Sequence, residues 1–371
     1  MDKHIVEFLT NRFDPDPRVY KEARYMVEKG CDVTILCWDR EPRPDSPLEE
    51  TIDGIHVVRF PIAAQLGSGK KQLPAYFAYI RACRGWLKEN PCDAYHCNDM
   101  DGAIAWYFAR RSAKTPMVFD MHEYYEDIGT GHEIRRRFWR AMTIFMIRRS
   151  RYALYVNDYY LEKPYRSVHD KLLPLKNYPD PDILKALPKT RSDVFRIGYH
   201  GCVRNQIQEF TTLFEAVRGM ADVRVDIYGD GPDLARLREL EKQYGNVHIH
   251  GKFNGVEELT GLYADADIVY AGYRPDSLTR EHAEVVKFFE CIYTGTPVIL
   301  TAAYTGMAKL IEQYGFGLTC DTLDVNAVRD AVLKLKDDHA FWEACAKHEL
   351  DEAWRYNSKQ AVRVLDQAHS L

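Results

Sequence analysis

Residues 281 to 300 read EHAEVVKFFECIYTGTPVIL: an amphipathic helix, a Thr-Gly-Thr-Pro turn and an apolar strand, with Lys287 and Glu290 set among the apolar residues. Val285, Phe288, Phe289 and Ile292 fall at i, i+3, i+4 and i+7, one buried stripe of a helix. Lys287 and Glu290, three apart, flank that stripe. Either they are a solvated pair stabilising the helix by about 0.2–0.5 kcal/mol, or they are the polar edge of a ligand site. The helix alone leaves both readings open. A second candidate is GYHGCVRNQIQEF, where a strand ends in a Gly-x-x-Gly turn closed by Gly201, Arg204 follows, and a helix starts near Ile207. Glycines let backbone N–H groups approach an anion, a helix start carries partial positive charge, and arginine offers a forked donor to phosphate. Such turns also arise for steric reasons alone. Two more glycine turns, YGDGP with Gly229 and Gly231, and HGKF with Lys252 and Phe253, end the next two strands, so one rim gathers three of them. In the first half, His122 in FDMHEYYED stands at a strand end, either as hydrogen-bonded scaffolding or as a ligand contact. Asn98 and Asp99 in HCNDMD end the preceding strand, where they line a site or cap a helix expected from Gly102. Arg18 opens the first helix behind Pro17, with Asp14 or Asp16 placed to cap it.

These residues need a scaffold, and the chain spells one out. Its 371 residues suggest two domains on a prior of about 150 residues each. Hydrophobic residues at 46%, charged residues at 28% and a net charge of -5 describe a globular chain without the basic excess of a nucleic-acid binder. Nine cysteines, odd in number and without a Cys-x-x-Cys pair, read as reduced thiols of a cytoplasmic protein. The N-terminus enters a strand directly, and no apolar run approaches about 18 residues, so neither a leader nor a membrane span is expected. Strands alternate with helices throughout, which is the pattern of doubly wound α/β sheets. We expect an N-terminal Rossmann-like domain over 1–172, built on one parallel sheet, and a proline-rich connection over 173–193. A second Rossmann-like domain follows over 194–354, and a C-terminal helix over 355–371 packs back on the first. Two such sheets bind ligands at their strand C-termini, so function is expected in a central cleft that the two domains face.

The order of motifs resembles the retaining, nucleotide-sugar-dependent glycosyltransferases of the GT-B fold, family-4 type. It is carried by NRFDPDPRVYKEARYMVEKGCDVTILCW, YHCNDMDGAIAWYFARR, VFDMHEYYED and KNYPD, then by IGYHGCVRN, IYGDGPDLARL, VHIHGKF, ELTGLYADADIVY and KFFECIYTGTPVI. No single piece is specific; nine in the family's order are. The resemblance implies transfer of a sugar from a nucleotide diphosphate sugar to an acceptor hydroxyl, with the donor against the second domain. It implies that Glu290 accepts the ribose hydroxyls and that His122 faces the donor sugar or the departing phosphate. Gly201, Gly229, Gly231, Lys252 and Phe253 then belong to the nucleotide side, and Asn98, Asp99 and Arg18 to the acceptor side. Two departures stand out. Where the family has a Glu-x7-Glu pair, His282 stands eight residues before Glu290, with Glu281 beside it. The family's Arg-then-Lys phosphate pair has Arg204 but no lysine after it, leaving Lys287 or Arg280 to replace it.

No Asp-x-Asp metal motif is legible, since DPD at 14–16 and 180–182 reads as proline turns, and neither a metal nor another cofactor is expected. The acceptor is a carbohydrate or a lipid-linked one, because many similar enzymes build cell-surface glycans. Residues 132–152 mix seven arginines with Phe138, Trp139, Ile144, Phe145 and Ile147, which suits an anionic membrane surface. The competing reading makes Trp139, Met142, Phe145 and Met146 an inward stripe, with the arginines solvated or paired to acids such as Glu126. Two other activities compete: a non-catalytic GT-B partner subunit, and a nucleotide-sugar epimerase.

Overall fold

The structure is a computed structural model. It describes residues 3–14, 16–43, 47–65, 69–127, 133–187, 189, 193–255, 257–274 and 281–371, with the side chains of 349–352 and 354 left aside. Arg280 lies outside the described residues. The chain forms two compact units, Met1–Lys176 with Gln360–Leu371, and Asn177–Lys359.

In the first unit the strands are β1 (His4–Leu9), β2 (Asp32–Asp39), β3 (Glu49–Ile52), β4 (Ile55–Pro61), β5 (Ala94–Asn98), β6 (Met117–Met121), β7 (Tyr152–Tyr155) and β8 (Leu172–Pro174). Their order is β3-β4-β2-β1-β5-β6-β7-β8, so the winding reverses between β1 and β5. All pairs are parallel except β3 with β4, which corrects the expectation of a purely parallel sheet. The reason is local. Asp53 and Gly54 both adopt positive φ, 49° and 83°, and make a two-residue hairpin between β3 and β4. Helix α1 (Pro17–Glu28) covers one face together with the C-terminal segment, whose Val362, Leu365 and Ala368 are buried with Ile5, Val19 and Val118. On the other face lie α2 (Leu73–Glu89), with Tyr79 buried, α3 (Asp99–Ala109) and α4 (Glu133–Arg149), over Phe8, Trp38 and Phe119 of the sheet. Along α4, Met146 is buried while Trp139, Met142 and Phe145 are partly so, and Arg140 is paired to Glu126 by both nitrogens nearest it.

The second unit carries β9 (Phe195–His200), β10 (Val223–Tyr228), β11 (Val247–Gly251), β12 (Ile268–Ala271), β13 (Val298–Thr301) and β14 (Gly317–Cys320), in the order β11-β10-β9-β12-β13-β14. This is the 3-2-1-4-5-6 order of a Rossmann fold, and its switch point lies between β9 and β12. Helices α5 (Ile207–Ala216) and α6 (Leu234–Glu241) serve one face, and α7 (Leu259–Asp265) and α8 (Val286–Thr294) the other. Phe288, Phe289 and Ile292 of α8 are buried, as their spacing predicts. Gly295 ends the helix in the left-handed conformation at φ 65°.

Backbone packs against backbone where β9 and β10 end. A Cβ added to Gly229 would stand 1.8 Å from the carbonyl oxygen of Gly201. We expect Gly229→Ala to destabilise the protein by about 1–3 kcal/mol, as overpacking does. Gly85 of α2, with open space around its Cβ position, should instead gain about 0.5–1 kcal/mol as alanine. Denaturant unfolding of the two variants checks both signs.

Candidate functional site

The rim of the second sheet is built from turns held close by backbone bonds. Gly201 N–H donates to the Tyr228 carbonyl at 2.9 Å, Val203 N–H to Asp230 at 3.0 Å, and Gly229 N–H to Gly251 at 2.7 Å. Gly201 and Gly231 adopt φ of 143° and 153°, and a side chain on Gly231 would strike the Val203 carbonyl at 2.4 Å. These glycines are therefore required by the turn-on-turn packing itself, whatever they bind. Arg204 stands exposed on the same turn, and no hydrogen bond or ion pair ties it to the described residues. Lys252 and Phe253 follow β11, the lysine exposed and the ring half-buried.

Lys287 is where the solvated-pair reading fails. It is 6% exposed, its amine donates to the His200 carbonyl, and it lies 3.7 Å from the centre of the Tyr199 ring. A Cβ on Gly201 would meet that amine at 2.9 Å. Burial pulls the ammonium down to about 8, with Glu290 acting in the opposite sense. Glu290 accepts from Tyr263 Oη at 2.7 Å, and the Tyr263 ring packs edge-on to His200 at 4.7 Å. His200 is itself buried, and burial together with Lys287 holds its imidazole neutral, down at about 3. Gly201, Lys287 and Glu290 are thus brought together around His200 and Tyr263, two residues the sequence reading passed over. His200 was adjacent to the quoted Gly201; Tyr263 carried no signal. Glu281 and His282 lie ahead of α8, the first exposed and the second half-buried, with the Glu281 carbonyl 2.7 Å from the Cβ position of Gly306.

In the first unit the polar residues form a layer inside the protein. The parallel register sets Glu7 beside His96 and Asn98 beside Asp120, all on the face that α1 covers. Arg18 donates from Nε and Nη2 to the two oxygens of Asp120 at 2.9 and 2.7 Å, and from Nη1 to the Leu175 carbonyl at 3.1 Å. The Asn98 amide donates to Glu7 at 3.0 Å. Arg18 and Asn98 therefore face inward, a correction to their expected place on an acceptor surface. Nor do Asn98 and Asp99 cap a helix: α3 begins at Asp99, and Asn98 makes no side-chain capping bond. Asp16 does cap α1, accepting from the N–H of Arg18 at 3.1 Å.

Asp99 sits at φ 61°, and its Oδ1 accepts the His122 N–H at 3.0 Å and the Tyr125 hydroxyl at 2.7 Å. The His122 ring lies between Asp120, at 2.5 Å from Nε2, and Asp99, at 3.4 Å from Nδ1. Burial opposes its charge, but Asp99 and Asp120 outweigh burial and raise the imidazole to about 9. Asp120, although buried, is held ionised well below the usual carboxylate range by Arg18 and His122. Behind this pair, burial raises Glu7 to about 7, Glu22 lies 3.3 Å from His96, and His96 bonds His369 of the C-terminal segment at 3.0 Å. Glu22, His96 and Asp120 come close enough to share a cation. The fit is poor, because the Arg18 guanidinium already occupies both Asp120 oxygens.

Residues 15–163 match the family model of a glycosyl transferase 4-like domain, and residues 194–338 that of glycosyl transferases group 1. No curated protein matches the sequence. Among solved structures, the chain is similar to sucrose-phosphate synthase from Thermosynechococcus elongatus, with a TM-score of 0.76 and 14% identity over 99% of this chain and 98% of that one. It is similar to HepE of Anabaena, solved with UDP and glucose, with a TM-score of 0.68 and 15% identity over 99% of each chain. The likeness to WaaG, a glycosyltransferase involved in lipopolysaccharide biosynthesis, has a TM-score of 0.67 and 15% identity over 98% of this chain and 99% of that one. At such identities the structural likeness carries the fold, two Rossmann-like domains of the GT-B type.

Asp120→Asn should cost about 3–5 kcal/mol, because it leaves the buried Arg18 without its carboxylate. The stabilisation from the raised His122 has the opposite pH sense to a carboxylate's: it is full below the ordinary histidine value of about 6.5 and is lost as pH rises through about 9. Denaturant unfolding from pH 6 to 10, in the wild type and His122→Gln, isolates that loss as the difference between the two curves.

Proposed function

Because the chain belongs to the glycosyltransferases, with a 4-like domain followed by a group 1 domain, we propose that it moves a sugar from a nucleotide diphosphate sugar to an acceptor hydroxyl, with retention. The observation that carries the donor assignment is the Lys287 amine, buried against Gly201 at the switch point of the second sheet. Ligands of open α/β sheets bind at that point. Lys287 takes the part of the lysine absent after Arg204, and the two cations offset the diphosphate. Departure of the nucleoside diphosphate leaves an oxocarbenium-like centre, so charge on the leaving oxygens is what the protein must stabilise. Glu290, oriented by Tyr263, takes the ribose hydroxyls. Gly229, Gly231, Lys252 and Phe253 complete the nucleotide side. His122 and Asp99 serve the sugar and acceptor side, with Glu281 and His282 in the place of the missing carboxylate. No metal or other cofactor takes part in this scheme.

The acceptor belongs to a cell-surface glycan or glycolipid, made at the cytoplasmic face of a membrane. What favours this is α4, where Ile134 is 85% and Phe138 56% exposed. Arg135 and Arg137 are exposed beside them, and Arg148 and Arg149 at the far end. Arg140, by contrast, is spent on Glu126. No helix among the described residues is long and apolar enough to cross a membrane, so association here is peripheral, with each basic residue near anionic lipid contributing about 1 kcal/mol.

Incubation with a panel of nucleotide sugars, reading free nucleoside diphosphate, tests the transfer. Slow release supports it; tight binding without release points to a partner subunit, and an isomeric nucleotide sugar to an epimerase. Lys287→Met should weaken binding of the matching nucleoside diphosphate about tenfold or more, as loss of a charge-assisted bond of ~1.5–3 kcal/mol requires, and leave nucleoside binding unchanged. Because the free amine titrates at about 8, wild-type affinity for the diphosphate should fall as pH rises above that value, and the variant's should not. Calorimetry with both ligands decides this; equal losses for nucleoside and diphosphate would reject the phosphate role. For the membrane reading, sedimentation with anionic vesicles should carry the protein down at low salt and release it at high salt. Recovery in the supernatant under every condition would leave a soluble acceptor as the better assignment.

A further inference from the structure

Arg18 and Asn98 are turned inward, but two other charged residues stand at the C-terminal edge of the first sheet, one on each side of β1. Arg40 follows β2 directly, and Asp101 lies in the first turn of α3, after β5. Each has a fixed support. The Arg40 guanidinium lies 4.2 Å from the centre of the Trp38 ring, which is stacked on Tyr79 and anchored by its indole N–H to the Ile62 carbonyl at 2.8 Å. The Asp101 backbone is held from two sides. Its carbonyl accepts the Tyr76 hydroxyl of α2 at 2.5 Å, and the next residue, Gly102, is so close to β1 that a Cβ there would stand 2.8 Å from the Phe8 carbonyl oxygen. The functional ends of both side chains, by contrast, are uncommitted. Arg40 Nε is shut off from water without a hydrogen-bond partner, as is Gln72 Oε1 just ahead of α2. The Asp101 carboxylate makes no hydrogen bond or ion pair among the described residues. The two charges nevertheless sense each other. Asp101 opens to solvent, yet enough protein crowds it that desolvation raises its carboxyl, with Arg40 opposing; burial lowers the Arg40 guanidinium, with Asp101 opposing. They are near enough to interact and too far apart to bond.

A ligand that satisfies both must accept from a guanidinium and donate to a carboxylate at once. Adjacent sugar hydroxyls do this, because each oxygen accepts while its O–H donates. A carboxylate or phosphate only accepts, and it would bring its charge against Asp101. We propose that Arg40 and Asp101 are a specificity pair for the acceptor, clamping neighbouring hydroxyls of an uncharged saccharide at the switch point of the first sheet. This rests on the glycosyltransferase reading and deepens it, by naming the class of acceptor and the two side chains that select it. The stack on Trp38 fixes the plane of the guanidinium, so its fork is already oriented for two oxygens. Tyr76 and Gly102 fix the first turn of α3, so the carboxylate is held at a set distance from that fork. A sugar bridging the two gives Arg40 Nε the acceptor it lacks, and removes the cost of a buried donor left unpaired.

Saturation-transfer NMR on the whole chain, with no donor present, tests the pair. The probes are the methyl glycosides of glucose, galactose and mannose, with methyl glucuronide as the anion. At least one neutral hexoside should bind, and the wild type should hold it more tightly than the glucuronide. Arg40→Lys keeps the charge but loses the fork, and should weaken that hexoside about tenfold, the scale of a lost charge-assisted hydrogen bond. Asp101→Asn keeps the shape and removes the charge. It should weaken the hexoside and strengthen the glucuronide, inverting the preference, whereas a merely structural role would move both probes alike. Failure of every hexoside to bind overturns the inference; so does equal binding by the wild type and Arg40→Lys, or a wild type that prefers the glucuronide. The nucleotide-sugar panel keeps the two readings apart. Release of nucleoside diphosphate without hexoside recognition removes the clamp and leaves transfer standing. Arg40-dependent hexoside binding without release removes the transfer and keeps the pair as a saccharide site.

Discussion

An arginine and an aspartate out of water, Arg18 and Asp120, constrain the first unit more than any other interaction. Taking both charges from solvent costs several kcal/mol per ion, and their attraction offsets this only when the geometry is good and the remaining donors are satisfied. Here the fork is bidentate, and the third guanidinium nitrogen reaches the Leu175 carbonyl. The pair therefore joins α1, β6 and the chain leaving β8, on the two sides of the point where the sheet reverses. Other positions become possible because of it. Glu22 sits one turn along α1, 3.1 Å from the same guanidinium, and its second oxygen lies beside His96. His96 in turn meets His369, so the C-terminal segment is joined to the polar layer as well as to the apolar core.

The second unit handles charge differently. Among the described residues its rim shows no buried ion pair of this kind; the Lys287 ammonium is drawn under a glycine turn instead. Lys287 is held by a carbonyl and by the face of the Tyr199 ring, both of which attract a cation without cancelling it. That incomplete compensation is why burial lowers its titration, and why an anion at Gly201 would find the lysine ready to bind. The glycines make this possible geometrically. With Gly229 and Gly231 bearing side chains, the turns after β9 and β10 could not approach, and the shallow rim under which the lysine lies would open.

Charge is placed oppositely in the two units. Around His122 the protein surrounds a cation with anions and raises its proton affinity; around Lys287 it leaves a cation nearly alone and lowers it. Both arrangements follow from sheet topology. At each switch point adjacent strands diverge at their C-terminal ends, and side chains from the following helices reach the gap. Asp99 at the head of α3 and Lys287 in the first turn of α8 are such residues.

Periodicity and turn chemistry were legible along the chain. Phe288, Phe289 and Ile292 of the stripe, the left-handed Gly295, the strand-helix alternation and the cap on α1 are local, since each depends on neighbours within about a turn; Val285, the stripe's first member, is instead the half-buried extended residue ahead of α8. Even the hairpin missed at Asp53-Gly54 was written in two residues. What the sequence could not express was which charges would meet. Glu7, His96, Asn98 and Asp120 are spread over more than a hundred positions and come side by side only through strand register. Lys287 and Glu290 look like an ordinary helix pair until β9 delivers His200 and Gly201 to one and α7 delivers Tyr263 to the other. His122 and Arg18 were both singled out as site residues, yet the surroundings of each are set by Asp120, which bonds both. A side chain's solvation and protonation depend on all the groups within a few ångströms, and parallel sheets draw those groups from distant parts of the chain.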